Sequence, residues 1–274
     1  MSNATSAVLS SLALTLVLAG ASGCRTVPGA RDAACPPARP PALRFGWVTG
    51  LKPEQVARYK ELHAAAWPGV LRMIRSCHLR NYSIYLKEIE GRPYLFSYVE
   101  YTGADFTADM RRMAADPETQ RWWQQTDPCQ QPLPDAAAQG KTWSDMEEVY
   151  HFDGTVDALS GRAQRYGMLT GLKFEKEAWY RILHQTPWPG VNRQIKAANI
   201  RNYSIYLKKI GDQLFLFSYF EYAGKNFDTD MEQMKRDDVT QRWWQQTDPC
   251  QQPLPAAAAR NNIWDGMDEV FHAD

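Results

Sequence analysis

The sequence predicts an α+β fold: two tandem ferredoxin-like units, each running βαββαβ, packed together as a pseudo-dimer within one chain. Three observations carry this expectation. The chain repeats itself without a gap from Arg44/Arg165 to Asp153/Asp274, and about 60 of the 110 aligned positions are identical. A period this long is too great for a solenoid and fits two copies of a small globular domain. Both copies also place strand-like and helix-like stretches in the same order, which implies an antiparallel sheet with its helices on one face. Finally, the second strand carries bulk on both faces, with Tyr82, Ile84 and Leu86 on one side and Ser83 and Tyr85 on the other. A bare apolar sheet face is a liability. Packing the two sheets against each other removes it and makes the chain a fused homodimer, compatible with a monomer.

The expected organisation is a leader over 1–24, a Pro-rich tether over 25–43, a first domain over 44–153, a linker over 154–164 and a second domain over 165–274. Within the first domain, Arg44 to Leu51 alternates and reads as a strand. Lys52-Pro53-Glu54 then opens a helix, because Pro suits the first turn and an acid suits the positive end of the helix dipole. That helix is expected to reach about Ala66, kink at Pro68 and resume to about Cys77. Asn81 to Lys87 and Tyr94 to Tyr101 are strands joined by a turn at Glu90-Gly91-Arg92, a hairpin. Asp105 to Ala115 forms a helix, and Pro117 onward adds another turn or two. Asp127 to Lys141 reads as a long polar loop, and Met146 to Phe152 as the last strand. The second copy follows the same plan.

The apolar, small-residue run Ala7–Ala21, followed by Ser22-Gly23-Cys24, reads as an export signal. It is similar to a bacterial lipoprotein box in which Cys24 takes the lipid. The expected location is therefore exported and membrane-anchored, in the periplasm or at the cell surface, with a cytoplasmic protein as the alternative. A lipid anchor is the only membrane contact expected, since the apolar run is too short to read as a spanning helix. Cys129 and Cys250 are repeat equivalents, so a bridge between the domains stays open beside two separate thiols. Neither CxxC nor a Cys/His cluster is present, and no metal or other cofactor is expected. The 31 Lys and Arg balance the 31 Asp and Glu, with no basic block, so a nucleic-acid partner is excluded. Ten Trp and thirteen Tyr supply planar faces suited to sugar rings, although most of them are needed for the cores.

The chemistry concentrates in Tyr59-x3-His63-x3-Trp67-Pro68 and its echo Tyr180-x3-His184-x3-Trp188-Pro189. The spacing puts phenol, imidazole and indole on one helix face. The longest shared runs are Arg80–Lys87 and Thr119–Pro134, the latter with the pairs Trp122-Trp123 and Trp243-Trp244. His151 and His272 are expected as exposed strand histidines, with a supporting role beside Glu148 and Glu269 as the alternative. These pieces, with Asn-Tyr-Ser-Ile-Tyr-Leu and the closing Glu-Val-Tyr-His/Glu-Val-Phe-His, resemble the L-rhamnose mutarotase family. The resemblance implies a dimeric α/β-barrel type of fold and an isomerase that interconverts the α and β anomers of L-rhamnose or a related deoxysugar. It implies His63 and His184 as proton donors. It implies substrate binding by Tyr59, Tyr180, Tyr82, Tyr203, Trp122, Trp123, Trp243 and Trp244, with a monosaccharide as the one partner. The alternatives are a sugar-binding surface lipoprotein without catalysis, or another cofactor-free isomerase or monooxygenase on the same fold.

Overall fold

The computed structural model describes residues 42–154 and 163–274. The leader, Cys24 and most of the tether and of the linker lie outside the described residues, and Leu43, the tether's last expected residue, already belongs to the first strand. The first half runs β1 (Leu43–Leu51), α1 (Val56–Ala64), α2 (Pro68–Ser76), β2 (Leu79–Ile89), β3 (Arg92–Tyr101), α3 (Phe106–Ala115), α4 (Pro117–Thr126), β4 (Gln130–Gln131), α5 (Pro134–Ala137) and β5 (Ser144–Phe152). The second half repeats it as β6 (Gln164–Leu172), α6 (Glu177–Gln185), α7 (Pro189–Ala197), β7 (Ile200–Ile210), β8 (Gln213–Tyr222), α8 (Phe227–Lys235), α9 (Asp238–Thr247), β9 (Gln251–Gln252), α10 (Pro255–Ala258), β10 (Asp265–Gly266) and β11 (Asp268–Ala273).

Local chemistry sets the breaks. Pro68 does not kink a continuous helix. Helix α1 ends at Ala64, Trp67 is extended (φ −66°, ψ 135°), and Pro68 is the first residue of a new helix, where its missing N–H costs nothing. Trp67 therefore belongs to the junction and not to the helix face of Tyr59 and His63. Asp105 and Asp116 cap α3 and α4 by accepting from Ala108 and Thr119 main-chain N–H groups. Helix α4 continues for ten residues, longer than expected. The stretch after it is not a free loop: the Lys52 N–H donates to the Cys129 carbonyl at 2.9 Å, β4 pairs with β1, and Leu133 and Ala136 are buried. The hairpin turn carries Glu90 and Gly91 at positive φ, as expected for a tight reversal.

The last strand of each half is shared. Residues Ser144–Met146 of β5 pair with β1 of their own half, and Glu147–Phe152 pair with β7 of the other. In the same way β10 pairs with β6 while β11 pairs with β2. The sheet order β10-β6-β8-β7-β5-β1-β3-β2-β11 thus begins and ends on one stretch of chain, so it closes into a barrel. The expected pseudo-dimer is present, with the inner faces of the two halves packed on each other, and the exchanged last strands join them into one curled sheet.

The barrel interior is a core drawn from both halves, including Val48, Tyr85, Phe96 and Tyr98 with Leu169, Tyr206, Phe217 and Tyr219. The Tyr98 and Tyr219 rings stack at 3.8 Å and 6°. Beside them Asn81 Nδ2 lies 2.9 Å from Glu100 Oε1 and 2.7 Å from Glu221 Oε1, and Asn202 Nδ2 lies 2.6 and 2.9 Å from the same two oxygens. The outer cores sit under the helices, and each takes in the other half's last strand: Phe271 and Ala273 join the first, Tyr150 the second. Cys77, Cys129 and Cys250 are buried free thiols, so the bridge left open between Cys129 and Cys250 is not formed.

Interior fit is tight at two glycines. A Cβ on Gly46 would lie 2.6 Å from the ring of Tyr206, and one on Gly167 2.6 Å from Tyr85. Both rings are 1% exposed and packed against Phe217, so neither can retreat. We expect Gly46→Ala to lower stability by about 1–3 kcal/mol through overpacking. Urea unfolding of the whole chain checks this, and an unchanged midpoint would mean that the barrel interior yields.

Candidate active site

Helix α1 holds the first site against the outer face of the sheet. The Tyr59 and His63 rings stack at 4.0 Å with 26° between planes, as their i, i+4 spacing allows. Trp122 of α4 meets His63 edge-on at 5.3 Å, and Trp67 meets Trp122 edge-on at 5.4 Å. The second site matches: Tyr180 on His184 at 4.0 Å, His184 to Trp243 at 5.4 Å, and Trp188 to Trp243 at 5.5 Å. The Trp67–Pro68 break thus turns the indole towards α4, which a continuous helix would not do.

The structure adds a residue that the sequence pattern did not single out. Phe271, from the exchanged last strand of the second half, lies edge-on to His63 at 5.5 Å and to Tyr82 at 5.6 Å. Tyr150 of the first half takes the equivalent place, 5.7 Å from His184 and 5.5 Å from Tyr203. Tyr82 and Tyr203 therefore join the histidines through a ring supplied by the opposite half. Of the Trp pairs, Trp122 and Trp243 are buried beside the imidazoles, while Trp123 and Trp244 are half-buried and pack on the outer cores.

The histidines have a fixed proton arrangement. Nδ1 of His63 lies 3.0 Å from the Tyr59 carbonyl oxygen, and Nδ1 of His184 lies 2.9 Å from that of Tyr180. A carbonyl only accepts, so Nδ1 carries the proton and Nε2 presents a lone pair. Burial pulls both imidazoles down to about 4, opposed by that same carbonyl bond. At neutral pH each is therefore a neutral acceptor at Nε2. The phenols are held protonated: burial lifts Tyr59 and Tyr180 well above the usual range, Tyr82 to about 12, and Tyr203 upward as well. Asp127, next after α4, is pushed up by burial to about 6, and its charge acts on Tyr59. Asp248 is shifted in the same direction.

His151 and His272 are not exposed. Each lies on an exchanged strand and bridges two groups: His151 Nδ1 to Ser204 Oγ at 2.8 Å and Nε2 to Asp153 at 2.7 Å, His272 Nδ1 to Ser83 Oγ at 2.9 Å and Nε2 to Asp274 at 2.8 Å. Both ring nitrogens are thereby occupied, Nδ1 across to the receiving strand and Nε2 on the aspartate two residues along.

A sequence model of the family described as L-rhamnose mutarotase matches residues 44–152 and again 165–273. The L-rhamnose mutarotase of Lactiplantibacillus plantarum is 26% identical over 111 residues, 40% of this chain and 99% of that protein. That of Pectobacterium atrosepticum is 30% identical over 95 residues, 35% of this chain and 84% of its own length. A solved structure, an L-rhamnose mutarotase from Formosa agariphila, is 23% identical and covers 39% of this chain and 96% of its own, with a TM-score of 0.30.

Buried neutral histidines set a pH dependence of stability. The unfolded chain binds a proton at each below its ordinary 6.5, whereas the folded chain binds none until about 4. Stability is therefore full above 6.5 and falls as pH drops from 6.5 to 4, by up to about 1.4 kcal/mol per pH unit for each histidine. Urea unfolding at pH 7, 6 and 5 should show this loss, and His63→Gln with His184→Gln should flatten it. An equal slope in both proteins would rule out the neutral assignment.

Proposed function

The chain belongs to the L-rhamnose mutarotase family, whose members are isomerases acting on carbohydrates, and from that premise we propose that it interconverts the anomers of L-rhamnose or a related deoxysugar. We propose that His63 and His184 move the proton. The observation that carries this reading is the main-chain carbonyl on Nδ1, which leaves a neutral Nε2 lone pair among aromatic rings. Nε2 removes the anomeric O–H proton. The electron pair closes a C1 carbonyl, the C1–ring-oxygen bond breaks, and the ring oxygen takes up a proton from the imidazolium. Both oxygens are attached to C1, so one nitrogen serves each in turn. Rotation about C1–C2 and reversal of the steps gives the other anomer, with no net change in protons.

In this reading His63 and His184 act first as acceptor and then as donor. Tyr59, Tyr180, Tyr82 and Tyr203, kept as phenols, donate hydrogen bonds to the sugar. Trp122 and Trp243 wall the imidazoles, and Trp123 and Trp244 offer the more open faces for stacking. The leader through Cys24 supports an exported, lipid-anchored enzyme. A labelled fatty acid supplied to producing cells should enter the wild type and not Cys24→Ser; an unlabelled wild type would remove the anchor, and labelling of both would move it off Cys24.

The chemistry is tested by anomer exchange of L-rhamnose followed by NMR. His63→Ala with His184→Ala should slow catalysed exchange by about 10²–10⁴-fold, the usual contribution of a placed acid–base group. Unchanged exchange in a folded double variant would overturn the assignment of proton transfer to the histidines. The single variants report whether both halves are active.

A further inference from the structure

The two sites are not copies of each other at one corner. In the second, the Tyr150 hydroxyl lies 2.8 Å from Asn192 Oδ1. The equivalent positions in the first are Phe271 and Leu71, both packed in the outer core. Tyr150 comes from the exchanged strand and Asn192 from α7, so two elements far apart in sequence have changed polarity together. The ring positions are otherwise the same: Phe271 stands 5.5 Å from His63 and Tyr150 stands 5.7 Å from His184. Tyr150 is 7% exposed, so its hydroxyl needs a partner, and Asn192 supplies one while remaining half-buried itself. With its oxygen engaged, the Asn192 amide still has two N–H donors.

We propose that this hydroxyl–amide pair makes the second site select a sugar with a hydroxymethyl group where the first site takes a methyl. The inference rests on the reading above that both sites bind a monosaccharide. L-Rhamnose carries one apolar substituent, its C6 methyl, and every other substituent is a hydroxyl. The Phe271–Leu71 corner matches that methyl. The Tyr150–Asn192 corner matches the same sugar oxidised at C6 to an alcohol, which is L-mannose. A site built to hydrogen-bond a hydroxyl rejects the analogue lacking it more strongly than an apolar pocket rejects an added hydroxyl. Tyr150 and Asn192 are specificity residues in this account, and proton transfer stays with His184.

Calorimetric titration of the whole chain with L-rhamnose and with L-mannose, each at its anomeric equilibrium, tests this. The wild type should show two classes of site with opposite preferences. Tyr150→Phe with Asn192→Leu should weaken L-mannose binding roughly ten- to a hundred-fold and leave two alike, rhamnose-preferring sites. The reciprocal Leu71→Asn with Phe271→Tyr should create a second L-mannose site, and serves should the first pair disturb folding. In the exchange assay the change should fall on KM with kcat nearly constant. An L-mannose affinity untouched by the first pair, or no L-mannose binding by the wild type, overturns the proposal. Equilibrium binding does not depend on proton transfer, so this result and the histidine result can fail separately.

Discussion

The architecture depends on the main-chain pairing of each half's last strand with the other half: β5 on β7, and β11 on β2. Without it, β2 and β7 would each present an open edge of unpaired N–H and C=O groups. With it, the sheet closes and the interior aromatics of both halves share one core. The same pairing carries Phe271 and Tyr150 across to the opposite histidines. Neither half therefore holds a whole candidate site of its own, and the hydrogen bonds that close the barrel also bring its last ring into place. His151 and His272, bound to serines on the receiving strands, fasten the exchange beside the ladder.

Around each of the two site imidazoles, position and protonation are set by one device. A helical histidine four residues after a tyrosine can send its ring back to that residue's carbonyl, which has a lone pair to spare. The tyrosine ring then stacks on it at 4.0 Å and fixes its plane. The helix ends directly afterwards, so the indole of the next turn is free to pack against α4 or α9 instead of following the helix. Burial keeps the ring neutral, and neutrality is what a group needs if it is to take a proton before giving one.

Much of this was legible in the residues. The repeat gave the pseudo-symmetry, alternation put Tyr85 and Ile84 on opposite faces of the sheet, and the i, i+4 spacing brought Tyr59 onto His63. The exchange was not legible, because a strand that alternates carries no mark of which sheet it will join, and so Phe271 and Tyr150 stayed hidden in the closing motif. For the same reason His151 and His272 read as exposed: their serine partners belong to the other half. Pro68 was ambiguous because proline interrupts one helix and starts another by the same missing N–H. The stretch after α4 read as loop because its anchors, a two-residue strand and a single turn of helix, are too short to leave a period.

Fusion changes what such a barrel can become. In a homodimer every substitution appears twice, and the two sites stay identical by symmetry. In one chain, positions 150 and 271 are separate. The places where the halves meet themselves have nonetheless kept their residue types: Tyr98 stacks on Tyr219, and Asn81 and Asn202 share Glu100 and Glu221. A change at one of these faces its own equivalent, so it cannot be absorbed by one half alone. Positions 71, 150, 192 and 271 meet different residues across each site, and there the polarity has changed in matched pairs. The pattern of identity and difference thus follows the contact geometry: constraint along the pseudo-two-fold axis, and freedom at this corner beside each histidine.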